Sequence, residues 1–176
     1  MIAPDDVEKV LWRIRATGRT RATELDLAAF ETKEGVVLHD ALRQWLRMSN
    51  GGTALEPHWH GVNQGNNLAD ASFVWRLKPG WRAQQWFPVA GDGSGNYYLT
   101  PLAPDDQGLH PVFFFNVLES IEKPTFVAAS DLWHFVYARL ATEYKLEMEG
   151  WPFDKHVTIR FDPDLLRVGG VLPWNA

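Results

Sequence analysis

Apolar positions along this chain fall into three helical rows with a block of strand-like runs between the second and the third. Val7, Val10, Leu11 and Ile14 stand at i, i+3, i+4 and i+7, which places them on one face of a helix over residues 4–17. Pro4, Asp5 and Asp6 suit its first turn, and Gly18 suits its end. Leu38, Leu42, Trp45 and Leu46 repeat at helical spacing and predict a second helix. It is closed by Asn50-Gly51-Gly52, residues that tolerate a left-handed cap. Leu132, Val136 and Leu140 form a third row, broadened by Trp133, Tyr137 and Tyr144, in a helix over 130–146 with Ser130 as its N-cap. The stretch 19–37 reads equally as a short strand or a loose helical turn.

The strand signals have period two or are continuous. Trp86 to Ala90 and Tyr97 to Thr100 flank Gly91-Asp92-Gly93-Ser94-Gly95-Asn96, the composition of a hairpin turn. Pro111 to Val117 is the strongest β stretch, and its unbroken apolar run predicts a central strand buried on both faces. Phe73 to Leu77 reads as a strand followed by a Pro79-Gly80 turn, and His156 to Phe161 as a late edge strand ended by Asp162-Pro163. Residues 53–72 are rich in Gly, Asn and Pro and predict a long connection, functional or hiding a short strand. The tail predicts an extended segment with Trp174 docked on the body. This order of elements makes an α+β fold, an antiparallel sheet with helices packed on one side, two before the sheet and one after it. At 176 residues, one domain spanning 1–176 is expected.

Composition changes this picture in two places. There are no cysteines, which excludes disulfides and thiolate metal sites and fits a reducing compartment. No basic segment followed by an apolar core opens the chain, and no apolar run is long enough to span a bilayer, so a cytoplasmic protein without membrane contact is expected. Nine tryptophans and ten phenylalanines supply either a core of large rings or an aromatic binding face. The net charge is −5 and is unevenly placed: between Arg82 and Lys123 there is no Lys or Arg, but there are Asp92, Asp105, Asp106, Glu119 and Glu122. Such a window disfavours nucleic acid and suits a basic protein.

Candidate chemistry is sparse. His58-Trp59-His60 places two imidazoles on one face of a strand, and Gly52 ahead of it matches the opening of a cupin metal motif. The acid and the third histidine of that motif are missing, so the alternative reading, a metal-dependent enzyme, has two ligands only. The glycine turn lacks the Lys-Ser/Thr of a phosphate loop and precedes a strand rather than a helix. Its single carboxylate does not make a calcium loop. No serine sits in a strand-to-helix elbow, and Asp105-Asp106 point apart. No catalytic set and no cofactor are expected.

Three blocks together resemble the SUKH superfamily, which includes the fungal cell-wall-synthesis regulator and many bacterial proteins: Leu38 through Gly52 ending in Asn-Gly-Gly, Trp86 through Tyr98 with its Asp-Gly-rich turn, and Pro111 through Phe115 with the helix from Ser130 after it. Trp151-Pro152-Phe153-Asp154, Asp162-Pro163 and Leu172-Pro173-Trp174 are similar to an extension of bacterial members. The resemblance implies a non-enzymatic binding module, an immunity protein that neutralises a cognate toxin domain. The expected contacts are Asp92, Asp105, Asp106, Glu119 and Glu122, with Trp81, Trp86 and Tyr98 as aromatic anchors.

Overall fold

A computed structural model describes residues 2–13, 21–51, 58–65, 68–143 and 148–176. The Asp-Gly turn closes the hairpin expected for it: β1 (Trp86–Gly91) and β2 (Tyr97–Pro101) pair antiparallel, with a bulge between Pro88 and Ala90. β3 (Val112–Phe115) and β4 (Phe126–Ala129) continue the meander, giving the order β1-β2-β3-β4. The α+β class and the antiparallel sheet are as the sequence pattern implies. β3 is internal to the sheet, but Phe113 and Phe114 are only half-buried.

The register sorts the aromatic rings onto two faces. Tyr98, Phe114 and Phe126 are cross-strand partners and share one face. That face meets Phe135 of the helix α6 (Leu132–Glu143), 4.8 Å from Tyr98 between ring centroids. Leu99, Phe113 and Val127 line the other face. There Val127 packs with Leu165 and Val168, from the 3-10 turn Pro163–Arg167 and the residue after it. The helices thus surround the sheet rather than keep to one side.

Among the described residues five helices precede the sheet where two were expected. α1 (Pro4–Arg13) and α3 (Asp40–Met48) are the two periodic ones; residues 14–17 of the first lie outside the described residues. The ambiguous stretch holds α2 (Glu24–Glu34). Thr23 caps it, and Asp26 reaches back to the Thr23 amide, while Gly35 at φ 68° ends it. Arg43 of α3 pairs with Glu24 and Glu31 of α2, and Arg47 pairs with Glu24 again. The expected strand at 73–77 is instead the helix α4 (Ala71–Leu77). Asp70 accepts the Phe73 amide as its N-cap, and Ala71, Val74 and Trp75 are buried at helical spacing. The Pro79-Gly80 turn opens α5 (Pro79–Ala83), with proline in the first turn.

The late edge strand at 156–161 is also helical. It is α7 (Lys155–Phe161), where Asp154 accepts the amides of both His156 and Val157. In α4 and α7 an aspartate three residues before a β-branched or aromatic run caps the first turn, and that cap outweighs strand propensity. Ser130 is not the cap of α6. Its amide and hydroxyl both donate to the buried Asp162 carboxylate (2.7 and 2.6 Å), and Asp131 accepts the His134 amide instead. Asp162 therefore ties the C-terminal segment to the end of β4.

The long connection hides a short strand. Trp59 pairs with Ala90 on the outer edge of β1, the His60 amide donates to the Val89 carbonyl, and the Gly91 amide donates to the His58 carbonyl. The Asn50-Gly51 end of α3 holds this segment in place. Asn50 accepts the Val62 amide (2.7 Å) and donates to the Val62 carbonyl (3.1 Å), so its amide side chain acts as a substitute strand for Val62. The approach is close: a Cβ on Gly61 would lie 2.5 Å from backbone atoms of Asn50, and one on Gly51, at φ 75°, 2.8 Å from the Gly61 nitrogen. Trp59 enters the core between Trp45 (4.9 Å) and Phe135 (5.8 Å).

Candidate protein-binding surface

The meander separates the acidic window into two groups. The β1–β2 turn and the β3–β4 loop lie at one end of the sheet, and the β2–β3 turn lies at the other. With β2 five residues long, the ends are about 17 Å apart. Asp92, Glu119 and Glu122 therefore belong to one surface, and Asp105 and Asp106 to another.

At the first end, two loops are fastened together. Asp92 Oδ1 accepts the amides of Ser94 (2.8 Å) and Asn96 (3.0 Å), and Asp92 Oδ2 accepts Asn96 Nδ2 (2.8 Å). Gly93 and Gly95 sit at φ 83° and 96°, which only glycine adopts freely. Asn96 Oδ1 then accepts the Val117 amide across the gap (3.0 Å). In the second loop Asn116 donates to Glu119 (2.8 Å), and Ser120 Oγ accepts the amides of Glu122 and Lys123. The indole of Trp81 donates to the Ile121 carbonyl (2.6 Å). On this braced loop Leu118 is 96% exposed and Ile121 45% exposed, flanked by the exposed Glu119 and Glu122.

Leu118 and Ile121 were not among the residues anticipated from sequence. The only signal for them is that they follow the apolar run Pro111–Val117, interleaved with two glutamates.

The second end carries a cleft on the Phe113 face of the sheet. Its volume is about 420 Å³, and Trp86, Phe113, Pro101, Pro104, Asp105 and Asp106 are among the residues that line it. The half-buried rings of Trp86 and Phe113 lie 5.1 Å apart. Asp105 Oδ1 accepts the amides of Gln107 and Leu109 and so shapes the turn, whereas Asp106 is exposed. Ala103 and Pro104 also border a broader hollow of about 740 Å³ beside His39 and His110, whose rings stack at 4.0 Å.

The three expected aromatic anchors have different surroundings. Trp86 reaches the cleft. Trp81 is 2% exposed and packs against Tyr97 and Phe115. Tyr98 is 6% exposed, between Phe114 and Phe135, with the Arg139 guanidinium over its ring. Trp81 and Tyr98 support the surface from behind.

His58 lies near enough to bear on the charge of His60, but His60 is 2% exposed, stacks on Tyr97, and its Nδ1 has no hydrogen-bond partner among the described residues. Burial first, then the neighbouring His58, pushes the His60 pKa down to about 3. Among the described residues no set of three His, Cys, Asp or Glu gathers to hold a metal ion, and no helix is long and apolar enough to cross a membrane.

Comparison with curated proteins returned no match. The sequence model of the SMI1 / KNR4 family (SUKH-1) matches residues 21–137, a stretch that runs from the cap of α2 through every strand of the meander into α6, and the chain belongs to that family.

Proposed function

We propose that this protein is a non-enzymatic, cytoplasmic binding module, one SUKH unit over the whole chain, that neutralises a cognate toxin domain by covering a basic surface of it. The observation that carries this reading is the apolar, acid-flanked tip at Leu118 and Ile121. A leucine almost wholly exposed on a braced loop is costly to solvate and serves no packing role in the free protein. Its loop is already held by hydrogen bonds from Asn96, Asn116 and Trp81, so little order remains to be gained on binding. Asp92, Glu119 and Glu122 around it suit a basic partner, such as the nucleic-acid cleft of a nuclease, and would speed encounter. Family membership supports a protein partner in general terms.

The test is co-expression and pull-down with the toxin candidate encoded beside this chain. Protection of the host and a stable complex are expected. A demonstrated toxin that neither binds nor is neutralised overturns the reading. Within the complex, Leu118→Ala is expected to weaken binding about tenfold or more while leaving the unfolding midpoint unchanged, because the side chain touches nothing in the free protein. Glu122→Lys is expected to slow association and reduce its salt dependence. Calorimetry and stopped-flow mixing read these out.

A further inference from the structure

We infer that the cleft floored by Trp86 and Phe113 is a second contact site, which takes an arginine side chain of a protein partner. Three features point to that side chain. The floor is aromatic and half-open: Trp86 packs on Phe113 at 5.1 Å and on Phe115 at 5.3 Å, which fixes its ring and leaves part of it facing the cleft. The walls from Pro101, Pro104 and Pro111 are rigid and apolar. The rim is anionic. Asp105 uses one oxygen on the turn amides, and Asp106 is exposed.

Arg167, the one cation on the wall among the described residues, is already engaged by Asp164 (2.9 Å) and Gln107 (3.4 Å), so it leaves the two aspartates uncompensated. A planar guanidinium stacks on an indole and bonds a carboxylate at its edge, which an ammonium cannot do in one geometry. The volume of about 420 Å³ admits such a side chain with its aliphatic stem along the prolines. The site lies at the opposite end of the sheet from Leu118, and it rests on the protein-binding reading only for the source of the arginine.

The test needs no toxin. N-acetyl-arginine amide is titrated into isotope-labelled protein while the indole N–H resonances are followed, with that of Trp86 assigned by its loss in Trp86→Phe. A saturable shift of the Trp86 resonance is expected, with little response to the neutral citrulline analogue. Asp106→Asn, which removes an exposed charge without touching the fold, is expected to weaken the response about threefold or more. An equal response to citrulline, an Asp106→Asn protein that titrates like the parent, or no saturable shift at Trp86 overturns the inference. Those results leave the neutralisation reading standing, just as a failed pull-down leaves this titration unaffected.

Discussion

Mild acid is expected to destabilise this protein well above the range in which carboxylates titrate, with His60 as a principal cause. In the folded chain its pKa is held down at about 3, against an ordinary value of 6.5, because the ring is buried against Tyr97 with His58 nearby. The sign follows from proton counting. Above the ordinary value both folded and unfolded chains carry the neutral ring, and its contribution to stability is fully present. As pH falls below that value the unfolded chain takes up a proton that the folded chain refuses, so stability is lost until the folded pKa is reached. Each such histidine costs about 1.4 kcal/mol per pH unit, so His60 alone removes about 3 kcal/mol over two units.

His39 acts in the same direction. Burial, then His110, hold its pKa down at about 3, and its Nδ1 accepts the Leu42 amide as the N-cap of α3. His134 opposes them. Burial alone would lower its pKa, but the hydrogen bond to Asp131 and the charge of Asp162 raise it, so its contribution is present below the ordinary value and lost as pH rises through the raised one. Urea unfolding at a series of pH values measures the slope. His60→Phe keeps the stacking on Tyr97 and is expected to flatten the acid limb by one histidine's share, whatever its effect at neutral pH. Identical slopes in the two proteins would show that His60 does not carry the effect.

The second large effect is expected at Asn50. Asn50→Ala removes the partner of the Val62 amide and one of the two donors to the Val62 carbonyl, which keeps Gln64 Nε2 at 3.2 Å, and Val62 is fully buried. One buried backbone amide is then left unpaired and a buried carbonyl keeps a single donor, so a loss of about 2 kcal/mol is expected on chemical denaturation. A loss below about 1 kcal/mol would mean that the segment finds other partners. Gly61→Ala attacks the same contact from the other side, driving a methyl into the Asn50 backbone. Because both changes open one contact, the double variant is expected to cost less than the two singles together. The Asn50-Gly51 end, which in the sequence reads as a helix stop, is therefore also the clamp for the segment that follows the strand at 58–60.

The parts of this fold that sequence resolves are those in which a long period meets a clear stop. α1, α3, α6 and the β1–β2 hairpin are of that kind. α4 and α7 are too short for a helical period to outweigh Phe73-Val74-Trp75 or Val157-Thr158-Ile159, and only the preceding Asp70 and Asp154 mark them. The segment at 58–60 is legible only as one option for the long connection, because it meets β1 through a single bridge and the asparagine side chain holds the neighbouring Val62. For the surface, the acids can be read along the chain but their division cannot, since it depends on which loops share an end of the sheet. Nor does composition distinguish Trp86, which borders a cleft, from Trp81, enclosed between Tyr97 and Phe115. Leu118 is missed for a related reason: one residue past a strand, inside and outside look alike.

Neither outer strand of the sheet is bare. Beyond β1, the residues around Trp59 supply hydrogen bonds, and Trp75 caps the Trp86 carbonyl. Beyond β4, the Val127 amide donates to the Val171 carbonyl of the tail, and Asp162 takes the Ser130 amide. A foreign strand therefore finds little open backbone on which to extend this sheet, whether it comes from a partner peptide or from a second misfolded copy. Recognition is left to loop tips and side-chain clefts, which can change residue by residue while the meander beneath them stays the same.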